Sequence, residues 1–159
     1  DIFYANTLWT DIINDAKFEA EQRGITFLTN IRLPKNELQL NGNSRLLESA
    51  VENIVTNALK YTKDKIELHI FIQEEEEEEE FLRIRIDDNG SGVHPDEFKK
   101  IFKPFYRVDE TRTRTTGGTG LGLAIVSNVI QEHQGKVWAE KSPLGGLAVT
   151  IRLPLWISN

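Results

Sequence analysis

Phe81-Leu82-Arg83-Ile84-Arg85-Ile86-Asp87-Asp88-Asn89-Gly90-Ser91-Gly92 turns a strand into a glycine-rich loop, with a carboxylate at the point of change. Leu82, Ile84 and Ile86 alternate on one face, and Phe81, Arg83 and Arg85 on the other, which is the period-two mark of a half-buried strand. Asp88 inherits the inward parity. A carboxylate aimed at a core is costly unless groups donate hydrogen bonds to it, and the neighbouring sequence offers no evident donor. A ligand is one candidate. The exocyclic amine of a purine would suit, and Gly90 and Gly92, lacking Cβ, would let a flat ring lie close to the backbone. A solvated Asp-Asn-Gly turn that simply ends the strand fits the same residues.

Upstream, Ser44 to Tyr61 carries Leu46, Leu47, Ala50, Val51, Ile54, Val55 and Ala58 at three- and four-residue steps. They make one apolar arc and predict a helix packed on a core. At ~100° per residue, Asn53, Asn57, Lys60 and Tyr61 fall along one edge of that arc. Two interior asparagines are poor helix formers and call for an explanation. Amide oxygens can ligate a hard cation such as Mg²⁺, amide nitrogens can donate to phosphate oxygens, and Lys60 supplies a point charge. The plainer alternative is that both asparagines only edge the helix and Lys60 is solvated.

Downstream lies Gly117-Gly118-Thr119-Gly120-Leu121-Gly122-Leu123, followed by the apolar-periodic Ala124, Ile125, Val126, Val129 and Ile130 and closed by Gly135. A glycine-rich loop feeding a helix N-terminus presents unpaired N–H groups where the helix dipole favours an anion. The spacing is neither G-x-G-x-x-G nor that of a P-loop, and no H-R-D or D-F-G motif follows. A hinge or an ordinary helix start remains open for this cluster taken alone.

Together the segments resemble a family. Asn53-x-x-x-Asn57-Ala58-x-Lys60-Tyr61, Asp88-x-Gly90-x-Gly92, Phe102-Lys103-Pro104-Phe105-Tyr106-Arg107 and Gly118-Thr119-Gly120-Leu121-Gly122-Leu123 look like the N, G1, F and G2 boxes of the catalytic ATP-binding domain of bacterial sensor histidine kinases. Order and spacing match from about Leu8 to Pro154. Glu48 to Val55 and Ser142 to Leu147 give the likeness a Cpx-type, envelope-stress flavour. The resemblance implies ATP and Mg²⁺ as ligands. It has Asp88 accept from the adenine amine in a pocket shaped by Gly90 and Gly92, Asn57 ligate Mg²⁺, and Asn53 assist at the phosphates or metal. Lys60 and Arg107 would offset phosphate charge, Tyr61 would flank the nucleotide, and the amides around Gly118, Thr119, Gly120 and Gly122 would hold phosphates over Leu121 and Leu123. Catalysis in such a site is positioning and charge stabilisation of a γ-phosphoryl group.

The family's acceptor is a histidine on a separate dimerisation hairpin, in a motif resembling H-E-[LI]-R-T-P that is absent here. His69, His94 and His133 read as surface or capping residues. The expectation is therefore a monomeric catalytic fragment, acting on a hairpin supplied separately and feeding a response regulator. Its parent would be a bacterial inner-membrane protein, with this domain on the cytoplasmic side. A GHKL-type ATPase or clamp is the alternative. Those relatives place a glutamate four residues before the metal-binding asparagine, where this chain has Asn53, and Glu52 points ~100° away around the helix. A non-catalytic nucleotide-binding module is the third reading, against which the Asn57, Lys60 and Arg107 set argues.

Composition agrees with one globular domain, residues 1–159. The chain is 39% hydrophobic and 28% charged, enough apolar material for a core. A net charge of −6 argues against a nucleic-acid surface, and the lack of cysteine rules out disulfide and thiol chemistry. No apolar run approaches the ~20 residues that cross a bilayer, so no membrane contact is expected of this chain.

The remaining pattern gives a helix from Leu8 to Glu21, strands over 25–33 and 66–72, two more around 137–139 and 147–153, and a turn at Gly145-Gly146. Glu74 to Glu80 reads as a solvated hairpin connection rather than a metal site. Residues 93–120 lack a long regular element, although a short helix from Pro95 to Ile101 fits, and with Arg107, Arg112 and Arg114 they suit an ATP lid. The fold expected is an α+β, two-layer α/β sandwich of Bergerat type. Its mixed, mostly antiparallel sheet of about five strands is covered on one face by about three helices.

Overall fold

The computed structural model describes residues 1–34, 37–75, 77, 79–106 and 122–157. Strand β1 (Ile2–Tyr4) runs through a 3-10 turn (Ala5–Leu8) into α1 (Thr10–Arg23). Trp9, at φ −133°, separates turn from helix, so Leu8 lies outside α1 yet is buried with Ile12, Ile13, Ala16 and Ala20. Gly24 stops the helix at φ 70°, its N–H reaching the Ala20 and Glu21 carbonyls. Then follow β2 (Thr26–Arg32), β3 (Gln39–Asn41), α2 (Ser44–Tyr61), β4 (Lys65–Glu74) and β5 (Glu80–Asp88). Beyond β5 come α3 (Gly122–Glu132), β6 (Lys136–Lys141) and β7 (Leu147–Pro154).

Five strands form one sheet in the order β2-β4-β5-β7-β6; β2 pairs parallel to β4 and every other pairing is antiparallel. A parallel pair needs a crossover, which α2 supplies. Ile66, Leu68, Ile70, Leu82, Ile84, Ile86, Val149, Ile151 and Leu153 line the inner face, buried against the three helices. Each such side chain contributes about 1.5–3 kcal/mol by leaving water. The expected sandwich is thus observed. β1 and β3 add a small antiparallel ribbon that the sequence did not announce.

The apolar arc of α2 differs at two positions. Leu46 is exposed, whereas Leu59 is buried beside Ala58. Asn43 caps the helix by accepting from the Leu46 N–H at 3.1 Å. At its far end Arg23 of α1 donates to the Leu59 carbonyl at 2.9 Å, pinning two helices together. Between Pro95 and Ile101 the structure has two 3-10 turns, Pro95–Glu97 and Lys100–Phe102, instead of one short helix. His94 caps the first, its Nδ1 accepting from Asp96 N–H at 3.2 Å.

The glutamate run closes β4 onto β5 through a Glu75 N–H to Glu79 carbonyl bond of 2.8 Å. Its second acid is not simply solvated. Glu75 folds back to Arg83 and Arg152, because both guanidiniums stand beside it on the outer sheet face.

Candidate functional site

Asp88 ends β5 on the inner face with 4% of its surface exposed. Its donors are backbone groups, one of them two residues on and the other remote. Oδ1 accepts from Gly90 N–H at 2.8 Å and from Leu147 N–H, 59 residues away, at 3.3 Å. The Asp88 carbonyl also takes Gly146 N–H at 3.1 Å. Charge-assisted bonds of this kind offset the desolvation of a carboxylate. Gly146 itself can be nothing larger, since a Cβ there would strike Asp88 Oδ1, its carbonyl and Gly90 N.

Gly90 is required for a reason that the sequence left to a ligand. A Cβ on it would run into the carbonyl oxygen of Tyr61, so the C-terminus of α2 and the loop after β5 meet backbone to backbone. Gly92 sits at φ 67°, and a Cβ there would only touch Gly146 at 3.4 Å, so its conformation matters more than its space.

Asn89, which sequence reasoning passed over, staples the two segments. Its Oδ1 accepts from Thr62 Oγ1 and from the N–H groups of Lys63, Asp64 and Lys65, all at 3.0–3.1 Å, while Nδ2 donates to Asp64 Oδ1 at 2.6 Å. The turn that follows Lys60 and Tyr61 is thereby fixed to the end of β5. An asparagine after a strand-terminal aspartate was the available signal, although its partners lie 24 to 27 residues upstream. Asn89→Ala is expected to cost about 2 kcal/mol, since several donors lose one acceptor. Chemical denaturation of the purified variant measures it.

Along α2, Asn53, Asn57, Lys60 and Tyr61 are all half-buried, as their place at the edge of the apolar arc predicts, and Glu52 is exposed. Asn53 and Asn57 lie one turn apart on the same side. Helix α3 starts at Gly122 against this edge, where a Cβ would stand 3.7 Å from Asn53 Oδ1. Leu123 packs on the core beneath. Arg107, Gly118, Thr119, Gly120 and Leu121, with Arg112 and Arg114 of the lid, lie outside the described residues. Of the aromatics before them, Phe102 and Tyr106 pack on the core, and Phe105, at φ 61°, is 72% exposed.

His69 lies on the outer sheet face with Nε2 3.2 Å from Glu67. His133 accepts from Asn43 N–H through Nε2 at 3.0 Å and faces the Val129 carbonyl through Nδ1 at 2.8 Å, tying the end of α3 to the start of α2. No helix among the described residues is long and apolar enough to cross a membrane.

A strand-end carboxylate, a polar helix edge and a glycine-led helix are thus brought together, Gly90 against Tyr61 and Gly122 against Asn53. The chain belongs to the family of histidine kinase-, DNA gyrase B- and HSP90-like ATPases, which matches residues 42–157. Within it, the chain is 49% identical over 152 residues to the sensor histidine kinase CpxA of Escherichia coli strain K12, covering 96% of this chain and 32% of that protein. It is 35% identical over 156 residues to the sensor protein kinase WalK of Staphylococcus aureus, covering 97% and 36%. The Cpx-type likeness expected from sequence is borne out.

Among solved structures, the catalytic domain of histidine kinase ThkA superposes with a TM-score of 0.75 at 23% identity, covering 97% of this chain and 94% of that one. The mycobacterial sensor histidine kinase MprB gives 0.72 at 24% identity over 99% of both chains. These likenesses show the fold. The chain spans about a third of the length of the curated relatives it matches.

Proposed function

We propose that this chain is the catalytic ATP-binding part of a sensor histidine kinase. In this reading it binds Mg-ATP and passes the γ-phosphoryl group to a histidine on a dimerisation hairpin, from which a response regulator receives it. The bond from γ-phosphorus to the β–γ bridging oxygen breaks, its electron pair stays on departing ADP, and an imidazole nitrogen forms the new bond to phosphorus. The observation that carries the reading is the convergence of buried Asp88, the α2 edge and the Gly122 start of α3. The parent protein would span an inner membrane, with this domain on the cytoplasmic side.

The Asp88 carboxylate, at the inner end of β5, takes the adenine amine. Asn53 and Asn57 face the phosphates. Lys60, with Arg107 assigned by its motif, offsets their charge, and Tyr61 flanks the nucleotide. The amides of Gly118, Thr119, Gly120 and Gly122 cradle the phosphate tail, with Leu121 and Leu123 beneath. The donor set fits Mg²⁺, since the half-buried Asn57 would offer an amide oxygen, a hard neutral ligand, beside phosphate oxygens. When bound, the ion neutralises charge on the phosphate oxygens. A clamp-type hydrolase is disfavoured by Asn53, which stands where a water-activating glutamate would be, and by Glu52 facing solvent.

Mixing the chain and Mg-ATP with a cognate hairpin is expected to yield acid-labile phosphohistidine. Rapid phosphate release without any acceptor would make the protein a hydrolase instead. Asp88→Asn keeps an oxygen for Gly90 N–H but loses the charge, so ATP affinity should fall about tenfold, or ~1.4 kcal/mol, in calorimetry. GTP, lacking the amine, should change little, and an equal loss for both nucleotides would contradict the amine contact.

A further inference from the structure

The outer face of the sheet plays no part in the nucleotide reading. Successive cross-strand registers bring Arg32, Phe71, Arg83, Arg152 and Lys136 into one row across all five strands. With neighbouring strands about 4.8 Å apart, the row is roughly 19 Å long. Four of its five members are cations, on a chain whose net charge is −6.

Arg83 and Arg152 stand directly opposite each other and share one carboxylate, that of Glu75, at 3.4 and 2.8 Å. Like charges opposed in a sheet repel, and a single shared acid leaves the pair positive. Exposed Arg32 lies over the Phe71 ring at 5.4 Å, and neither it nor exposed Lys136 has an ion-pair partner among the described residues.

Three other acids of this face are engaged away from the row, Glu67 with Lys65 and His69. Four residues along the strands, Asp87 and Glu140 both hold Arg85, at 3.0 and 2.9 Å. The bond from Asp87 raises the pKa of that guanidinium further, against the effect of burial. Hydrogen-bonding capacity in and beside the row is also unmet. Among the described residues, buried Arg83 Nε, Arg152 Nε and Thr150 Oγ1 lack partners, and Thr150, only 2% exposed, stands opposite Arg85 on the same face.

We propose that this row is a docking surface for a carboxylate-rich segment of a partner protein. Glu75 already displays the chemistry. A guanidinium fork pairs a carboxylate side-on, and the Trp138 ring, 5.2 Å from Arg83, and the Phe81 ring, 4.2 Å from Arg152, hold the two forks flat across the sheet. Incoming glutamates or aspartates take Arg32 and Lys136 at the two ends of the row and compete with Glu75 at its centre. The row lies on the face of the sheet opposite the helices and the proposed nucleotide site.

The test is an NMR titration of the labelled chain with N-acetyl-hexaglutamate amide. The expected result is a shift of the Arg83 and Arg152 Nε–H and Trp138 indole resonances, with binding that weakens as salt is added. Arg32→Glu combined with Lys136→Glu, both at exposed positions, should weaken the peptide at least tenfold while the melting temperature holds. The proposal fails if this face does not shift at millimolar peptide, if the double variant binds equally well, or if inorganic phosphate shifts the same resonances as strongly. Salt-sensitive dimers of the chain in sedimentation, abolished by the same double variant, would make the occupant a second copy and overturn it too.

Discussion

Asn57→Ala is expected to lower phosphotransfer to a supplied hairpin by at least about a hundredfold, the range seen when one polar group facing a reacting phosphoryl or oxyanion is removed. The residue is half-buried at the polar edge of α2, one turn beyond Asn53, and contributes little to the core beside Ala58 and Leu59. Stability should therefore hold, and alanine is the better helix former at that position. Single-turnover transfer with radiolabelled ATP reads the effect, alongside a thermal melt. Loss of transfer with an unchanged melt assigns Asn57 to the metal and phosphates. Full transfer by the variant would remove it from the site.

Gly90→Ala is the second large effect, and it acts on the fold and the site together. The added methyl would meet the Tyr61 carbonyl, which is backbone and cannot rotate away. Either the end of α2 or the loop after β5 must move, at a cost of about 3 kcal/mol by comparison with other overpacked sites. Movement of that loop strains the Gly90 N–H bond to Asp88 and the Asn89 staple. A lowered midpoint in urea and a matching loss of ATP affinity are expected. A variant with wild-type stability would show that the loop has freedom the structure does not suggest.

Much of the architecture could be read from the chain because its signals are local. The alternation of Leu82, Ile84 and Ile86 and the three- and four-residue steps of α2 need only neighbouring residues, and both elements lie where periodicity places them. What escaped depends on partners remote in sequence. One donor to Asp88, Leu147 N–H, lies 59 residues on, and those to Asn89 run from Thr62 to Lys65, so neither aspartate nor asparagine fully announces its role in its own neighbourhood. Strands β1 and β3, three residues each, are too short to show a period. Leu46 and Leu59 were exchanged because an arc drawn by hydropathy cannot tell which flank α1 covers, and Arg23 of α1 reaches the Leu59 side. Side-chain chemistry nominated the site residues, and packing supplies a reason for Gly90, the close Tyr61 carbonyl, that chemistry alone does not show.

The grip of Leu147 and Gly146 on Asp88 has a consequence for how this protein is made. A ribosome delivers the aspartate 59 residues before Leu147, so this corner stays unfinished until β7 has been made. Under the function proposed above, nucleotide capture therefore waits for β7, which sits between β5 and β6 in the finished sheet.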